Sequence, residues 1–350
     1  MSAAAVPIPA SRFEAAAMVI APLVLAFAGA ALLLAVAGHN PFEVYQLLVV
    51  ESFGGTRRIA ATLAAATPLM LTGLATAVAF RAGAFNVGVE GCVYVGGLAA
   101  AYVGFTYVGL PAPILLPLAL LAGLVVGSLW MLIPGVLKAK LSVDEVVTTL
   151  MLNFIAISLT AYLVNGPLLA PGSANSATPV VDAAARLPRL MPPSTLNAGF
   201  LIAVALLVLY WLWGQRTALG FETRLAGLNA RFATASGINV PSLIIKMMLL
   251  SGAIGGLAGA VHALGNVGRF VSGFSPGYGF TGIAVALLGR GSALGIFLAA
   301  ILFGALSASG ATIQLFSDVP IEIVNILQGM VMIFAVARFG WTFGKKRRAA

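Results

Sequence analysis

The side chains able to carry out chemistry are few in this sequence, and they are widely separated. The chain has one cysteine, Cys92, and two histidines, His39 and His262, among 350 residues. A catalytic or metal site needs several such groups together, and no HExxH, GxSxG or cysteine-rich spacing occurs. A phosphate-binding loop is also missing, because the GKK sequence at 344–346 lacks the earlier glycine and the hydroxyl residue. We therefore expect no enzyme activity, no bound metal or cofactor, and no ATP hydrolysis by this chain itself.

Polar side chains inside apolar stretches are the remaining candidates for a functional role. Asn86 and Glu90 lie in the sequence FNVGVEG at 85–91, and Asn153 interrupts an apolar run. A charge deep in a membrane costs on the order of 2.5–3.5 kcal/mol, so such residues usually face water or a partner. Glu90 therefore either lines or gates a polar path, or forms a structural ion pair with Arg81. Asn153 either presents its amide to a path or forms a hydrogen bond between helices, which is the commoner use.

The composition places these residues in a polytopic membrane protein. Hydrophobic residues make up 61% of the chain and charged residues only 8%, against about 25% charged in soluble domains. The apolar segments have the approximate ranges 15–37, 59–80, a short third segment ending near 108, 114–137, 146–164, 196–213, 243–264, a short eighth segment opened by 272–282 and ending near 288, 294–310 and 321–339. We therefore predict an all-α membrane helix bundle with about ten transmembrane segments.

Basic residues are distributed unevenly between the connections of these segments. With the N-terminus inside, 14 of the 19 Lys and Arg residues fall on the inner side and 5 on the outer side. This agrees with the positive-inside tendency, so we predict that both termini are cytoplasmic. Orientation also accounts for the net charge of +9 without a nucleic-acid partner. We expect a single transmembrane domain, 1–350, with six spans in 15–213, a cytoplasmic loop at 214–242, four spans in 243–339 and a basic cytoplasmic tail at 340–350.

The loop between the sixth and seventh spans is the longest polar interruption with regular character in the chain. Leu225, Leu228, Phe232 and Ala235 recur at spacings of three and four. This spacing predicts one short amphipathic helix. Gly237 follows as its expected C-terminal stop. From the residues alone, the loop is either a solvated connection or a docking element.

The two halves of the chain echo each other. A glycine-interrupted element precedes a short apolar segment in each half, at 85–91 and at 275–282, and an acidic entry precedes the last helix of each half, at 143–146 and 320–323. Paired broken segments are typical of a translocation path, because freed backbone groups need a cavity or protein partners. Glycines that only permit close helix packing are the alternative. We predict two pseudo-symmetric halves with broken helices near a translocation path.

Two sets of polar or aromatic residues follow from this arrangement. The candidates for lining the path are Phe85, Asn86, Glu90, Asn153, Phe280 and Thr281. The acidic residues near segment starts, where helix N-termini favour acids, are Asp144, Glu145, Asp318 and Glu322. We expect the second set to cap helices.

Several of these segments resemble the permease subunits of bacterial ABC importers. The polar loop contains RLAGLNARFATASGINV at 224–240, which is similar to the cytoplasmic coupling loop of that family. The resemblance extends to FNVGVEG at 85–91, VDEVVTTLMLNFIA at 143–156, LLSGAIGGLAGA at 249–260 and SPGYGFTGIAVALLGR at 275–290. Within the branch that carries nucleosides, simple sugars and branched-chain amino acids, these segments look most like nucleoside-type permeases.

The resemblance implies a function and a set of partners. A short helix of the coupling loop would dock on an ATPase subunit, and the residues of that contact would be Arg224, Leu225, Gly227, Leu228, Asn229, Arg231, Phe232 and Gly237. The implied partners are cytoplasmic ABC ATPase subunits carrying ATP and Mg, a second permease subunit that is identical or related, and an extracytoplasmic substrate-binding protein. The implied location is the bacterial plasma (inner) membrane, with lipid around the chain and no nucleic acid bound.

The expected function is therefore one half of a translocation path for a small polar solute, a nucleoside by resemblance. A simple-sugar permease is the alternative within the family. An ion-gradient-driven secondary transporter is the alternative of another class, because it would also use inverted repeats and broken helices. In that class Glu90 would be the natural coupling site. A membrane scaffold or enzyme would need partners or catalytic groups that the sequence does not reveal.

Overall fold

The computed structural model describes residues 12–36, 38–172, 175–316 and 325–333. Within these ranges the regular structure is helical. The helices are α1 Arg12–Val36, α2 Pro41–Phe53, α3 Thr56–Arg81, α4 Val89–Thr106, α5 Ala112–Leu141, α6 Glu145–Asn165, α7 Gly199–Arg216, α8 Ala218–Leu228, α9 Ala230–Ala235, α10 Val240–His262, α11 Tyr278–Leu288 and α12 Ala293–Phe316. A further described helix covers 325–333.

Seven helices of the described residues are long and apolar enough to cross a membrane. They are α3, α4, α5, α6 and α7, then Val240–Val267, in which a π-helical turn at Ala263–Val267 extends α10, and the part Ala293–Gly310 of α12. Each coincides with a predicted segment, so the prediction of an all-helical polytopic membrane protein is confirmed. Of the other three predicted segments, the first falls in α1, the eighth in the short helix α11, and the tenth partly outside the described residues. The count of ten and the two pseudo-symmetric halves stay predictions.

The chain divides into two compact units, one from the described parts of Met1–Ala66 and Ile301–Ala350, the other Thr67–Ala300. The first unit has its own apolar cluster. The cluster residues are Ala30, Leu34, Val44, Leu48, Leu306, Ile313 and Leu327. The Tyr45 hydroxyl of α2 donates to the Phe27 carbonyl of α1 at 2.5 Å, so the polar end of this half-buried side chain is satisfied. Helix α2 has Val44 and Leu48 on its buried side, and both belong to this cluster.

The second unit has a core in which α4, α5 and α10 touch through glycines. A Cβ built on Gly127 of α5 would lie 2.7 Å from the Cα of Gly256, and one on Gly123 would lie 2.9 Å from the Gly96 carbonyl oxygen of α4. Real Cβ atoms essentially never come within 3.0 Å of such atoms. The helices therefore pack backbone to backbone, as small residues allow in membranes, where burial of apolar surface does not drive helices together.

The long connection between α6 and α7 is irregular, as its Pro, Ser and Asn content predicts. Backbone hydrogen bonds nevertheless attach it to the segment that follows α10. These bonds run from Thr178 N to Phe270 O (2.9 Å), from Val181 N to Gly268 O (2.9 Å), from Leu187 N to Leu264 O (3.1 Å) and from Ser272 N to Ser176 O (2.9 Å). The connection is therefore built into the second unit.

Candidate functional site

The predicted broken segment between α3 and α4 is present, and it covers residues 82–88. The chain turns at Gly83, whose φ of 78° is a left-handed conformation that favours glycine. Asn86 is fully buried: its Oδ1 accepts from Gly88 N at 2.7 Å, and its Nδ2 donates to Ser251 Oγ of α10 at 2.8 Å. Asn86 therefore holds the interrupted backbone in place. Helix α4 begins at Val89, so Glu90 lies in its first turn and not in the connection where the sequence placed it.

Helix α6 supplies the backbone partners that this segment lacks. Three of its side chains follow one another at intervals of four residues and so lie on one face of the helix. Glu145 Oε1 accepts from Phe85 N at 3.4 Å, Thr149 Oγ1 accepts from Val87 N at 3.2 Å, and Asn153 Oδ1 accepts from Gly91 N at 2.8 Å. Asn153 Nδ2 also donates to Val87 O at 2.9 Å. We call Glu145, Thr149 and Asn153 the α6 ladder.

The α6 ladder includes one of the two predicted uses of Asn153. Its side chain is 1% exposed, and both ends of the amide are used between helices. Asn153 therefore forms the interhelical hydrogen bonds that were one of its two predicted uses. A buried backbone N–H without a partner costs about 1–3 kcal/mol, so each bond of the ladder matters for the shape of the segment.

Glu90 joins the two predicted broken segments. Its side chain is 2% exposed, and Oε2 accepts from Gly279 N at 2.6 Å in the first turn of α11. A carboxylate is favourable at this place, because the first N–H groups of a helix are unpaired and carry partial positive charge. The approach requires a glycine: a Cβ on Gly279 would lie 2.5 Å from the Glu90 Cα. Segments 85–91 and 275–282 are thus in direct contact.

Arg81 and Glu90 do not form the ion pair that was the alternative from the sequence; each has another partner. Arg81 Nη2 donates to the Gly214 carbonyl oxygen at the end of α7, at 2.9 Å. Its guanidinium also lies over the Tyr210 and Trp213 rings, 5.8 and 5.4 Å from their centroids. Such cation–π contacts add about 0.5–2 kcal/mol depending on exposure. Arg81 therefore ties the end of α3 to the end of α7.

The remaining path candidates differ in exposure. Phe85 is exposed, and its ring stacks on that of Phe80 with the centroids 4.5 Å apart. Phe280 is exposed and Thr281 is half-buried in the first turns of α11. Two aromatic side chains are thus accessible beside the buried contact of the broken segments, whereas Asn86, Glu90 and Asn153 act as internal supports. The path-lining roles stay predictions.

The predicted coupling loop, 214–242, contains two helices where the sequence predicts one. Asn229 interrupts the predicted helix with an extended backbone (φ −156°, ψ 97°), and its Oδ1 accepts from Phe232 N at 3.1 Å. This is the geometry of an N-cap, which starts α9 directly after α8. Gly237 follows α9 with φ 85°, in agreement with its predicted role as a stop.

The predicted contact residues of this loop divide by exposure. Arg224, Gly227, Leu228, Asn229, Arg231, Phe232 and Gly237 are exposed, and Leu225 is half-buried. Leu228 and Phe232 are 60% and 57% exposed, and Phe221 of α8 is 64% exposed, which leaves three large apolar side chains on the surface of this polar loop. Gly227 also meets the start of the broken segment, because a Cβ there would lie 3.2 Å from Gly83 N.

The acidic residues predicted to cap helices differ in what they do, and Thr149 was not predicted at all. Asp144 is the N-cap of α6, as predicted, and accepts from Val146 N at 2.8 Å. Glu145 lies in the first turn but reaches sideways, to Phe85 N and to Lys138 Nζ of α5 at 2.5 Å. Thr149 carried no sequence signal other than its place one turn before Asn153. The predicted caps Asp318 and Glu322 lie outside the described residues.

Comparison with known proteins defines the class. Residues 58–336 match the family model for the permease component of branched-chain amino acid transport systems. The guanosine ABC transporter permease protein NupP of Bacillus subtilis is 38% identical over 92% of this chain and 93% of its own length. The nucleoside ABC transporter permease protein NupB of Lactococcus lactis is 33% identical over 91% and 89%. A glucose ABC transporter permease protein of Haloferax volcanii is 37% identical over 85% and 80%. No solved structure matches.

Fold, site and similarity together define a multi-pass membrane transport subunit. The chain belongs to the family of branched-chain amino acid-type transport system permease components, and the match covers the described helices from α3 to α12.

Proposed function

We propose that the chain is the permease subunit of an ATP-driven ABC importer for nucleosides. Identity of 38% and 33% to a guanosine and a nucleoside permease, each covered over about nine tenths of its length, carries this assignment. ATP hydrolysis belongs to separate cytoplasmic subunits. The chain forms half of the translocation path with a second permease subunit, identical or related, and receives solute from an extracytoplasmic binding protein.

The geometry of the coupling loop supports an ATPase partner. Leu228 and Phe232 lie exposed on either side of the break at Asn229, and Arg224 and Arg231 are exposed on the same two short helices. Exposed apolar side chains surrounded by polar residues are typical of a protein–protein contact. We assign the ATPase contact to this surface, with Leu228 and Phe232 as its apolar centre.

The clustering of basic helix ends supports a cytoplasmic position for this surface. Arg81 at the end of α3 contacts Gly214 in the last turn of α7, and Lys138 in the last turn of α5 pairs with Glu145, which holds Phe85. Three basic helix ends therefore lie at the same end of the second unit as α8. With the positive-inside tendency, this clustering supports our proposal that this end of the second unit faces the cytoplasm of a bacterial cell. We propose a cytoplasmic position for both termini from the charge count of the sequence alone.

Glu90 supports ATP-driven over gradient-driven transport. A coupling carboxylate of a secondary transporter exchanges a proton or sodium ion with water during its cycle. The Glu90 side chain is instead 2% exposed and accepts from the backbone of α11. Its role in our proposal is to hold the two broken segments together.

Two solute classes remain to be separated by experiment. The glucose permease relative, at 37% identity, favours a simple sugar as the second candidate. Exposed Phe85 and Phe280 favour a nucleoside, because an aromatic face can stack on a base.

The test is uptake into proteoliposomes that contain this chain with a candidate ATPase, second permease and binding protein from the same organism. We expect tritiated guanosine to accumulate only when ATP is enclosed in the vesicles together with the ATPase. This uptake should persist when ionophores are added. Unlabelled adenosine should compete with it, and glucose should not. Accumulation of glucose in place of guanosine would identify a sugar permease. Gradient-driven uptake by the chain alone would contradict the ABC assignment.

A pair of substitutions tests the ATPase contact. Phe232→Ser should weaken binding of the ATPase to the permease by about tenfold or more, because buried aromatic anchors dominate protein interfaces. Phe42→Ser on α2 is the matched control, since Phe42 is also a highly exposed phenylalanine (75%) but lies outside the coupling loop. Equal ATPase binding by both variants would remove the contact from α9.

A further inference from the structure

We propose that Thr149 and Glu145 are positioning residues for transport, which hold segment 82–88 so that movement of the coupling loop reaches α4 and α11. This role rests on the proposed function. It concerns two residues that belong neither to the path-lining candidates nor to the predicted coupling loop. Thr149 is completely buried, and Glu145 is 9% exposed.

Movement enters the segment at its first residues. Gly227 of α8 and Gly83 are in backbone contact, since a Cβ on Gly83 would lie 3.3 Å from the Gly227 Cα. There is no side chain between them to absorb a displacement. Arg81 adds a second connection, because it donates to the Gly214 carbonyl of α7, just before α8 begins. A shift of α8 therefore acts directly on the backbone at 81–83.

The α6 ladder determines whether the segment moves as one piece with α6 when it is displaced. Val87 has both its peptide groups held by α6, its N–H by Thr149 and its carbonyl by Asn153. Glu145 holds the N–H of Phe85 two residues earlier and is itself anchored to α5 by Lys138. With these bonds intact, segment and α6 move together.

The far end of the segment connects to the contact between the broken elements. Gly91 N donates to Asn153, and Glu90 accepts from Gly279 N of α11. The first turn of α4 and the first turn of α11 are thus tied to the same α6 face that holds Val87. Without the Thr149 bond, the segment can yield between Gly83 and Gly91, and movement of α8 is lost before it reaches α11.

Thr149→Val is the decisive variant, because it keeps the β-branched shape and removes the acceptor of Val87 N. Thr160→Val is its matched control on the same helix. Thr160 is 1% exposed, and its hydroxyl bonds only to α6 carbonyls, to Ala156 O at 2.8 Å and Ile157 O at 3.1 Å. Thr149 makes the equivalent bond to Glu145 O at 2.6 Å. The two variants therefore differ in the bond to Val87.

The measurement is the number of solute molecules transported per ATP hydrolysed by the full complex in proteoliposomes. The probe is whichever of tritiated guanosine or glucose the unmodified complex accumulates. We expect Thr149→Val to lower this ratio by about tenfold, as loss of one buried acceptor shifts a two-state equilibrium. Thr149→Ser should restore it, and Thr160→Val should leave it unchanged. ATPase binding should match that of Thr160→Val, whereas the thermal midpoint should lie several degrees lower, because only Thr149→Val leaves the Val87 N–H without its partner.

Three results would overturn the proposal: an unchanged ratio in Thr149→Val, no recovery in Thr149→Ser, or an equal loss in Thr160→Val. If Thr149→Val does not fold, Lys138→Gln replaces it, since it releases Glu145 at a half-exposed position. Lys138→Arg is the control for this variant. If Lys138→Gln transports as many solute molecules per ATP as the unmodified complex, the proposed role of the α6 ladder is rejected. Failure of the proposed function looks different, because the unmodified complex would then show no ATP-driven uptake at all.

Discussion

Replacement of Gly256 by alanine tests the idea that backbone contact between α5 and α10 holds the second unit together. A Cβ at Gly256 would lie 2.9 Å from the Gly127 Cα and closer still to the Gly123 carbonyl oxygen. Carbon atoms pack best at about 3.5–4.0 Å, so the helices must separate by roughly 1 Å. Such overpacking costs about 1–3 kcal/mol, and two backbone neighbours in contact place Gly256→Ala at the upper end.

The intrinsic preference of alanine for helices works in the opposite direction. It recovers about 0.5–1 kcal/mol, which leaves Gly256→Ala destabilised by about 2 kcal/mol. The thermal midpoint should therefore fall by several degrees, on the scale of roughly 2–4 °C per kcal/mol for large domains. Gly329→Ala is the control: Gly329 lies in the described helix 325–333, and a Cβ there meets nothing within 4 Å. This variant should be at least as stable as the unmodified protein.

The assay uses the single cysteine of the chain. Cys92 has no exposed surface, so a thiol-reactive fluorescent dye labels it only when the second unit opens. Midpoints of dye labelling on heating detergent-solubilised protein should move down for Gly256→Ala and up, or not at all, for Gly329→Ala. A midpoint for Gly256→Ala equal to or above that of the unmodified protein would refute backbone packing as the source of cohesion between these helices.

Three further predictions follow from single contacts. Glu90→Gln keeps an acceptor for Gly279 N and should retain uptake within about threefold, whereas Glu90→Leu leaves that N–H unpaired and should lower uptake by at least tenfold; complete loss of uptake in Glu90→Gln would mean that the charge itself is needed. Arg81→Met should lower stability by about 2 kcal/mol, because it removes a charged hydrogen bond to Gly214 and the aromatic contacts, as thermal unfolding would measure; an unchanged midpoint would contradict this. Tyr45→Phe should cost about 1 kcal/mol through the lost bond to an α1 carbonyl, and a variant as stable as the unmodified protein would show that this bond adds nothing.

Much of the fold follows from the sequence because its signals are local. Apolar runs about 20 residues long predict spans wherever they occur, and the seven long helices coincide with such runs. Glycine clusters also predicted interrupted elements at 85–91 and 275–282, because glycine allows conformations that other residues resist; the first interruption is present at 82–88. The irregular connection after α6 was equally visible in its Pro and Ser content.

The site could be predicted only in part, because its interactions depend on which helix faces match. Asn86, Glu90 and Asn153 stood out as polar residues in apolar sequence, but their partners are 165, 189 and 62 positions away. Thr149 was invisible, since a threonine in a helix bonds to its own backbone unless a neighbour lies within reach. The break at Asn229 was missed for a different reason: the apolar spacing continues through it, while the asparagine acts as a cap.

The hydrogen-bonded attachment of the connection between α6 and α7 limits how the second unit can open on that side. Backbone hydrogen bonds join this connection to residues 264–272 at four successive points, so the bonded part cannot move away independently. Any widening there must carry the connection and the end of α10 together, as one stiff piece. A binding protein that contacts this part of the surface would therefore meet a preformed surface and not a flexible loop.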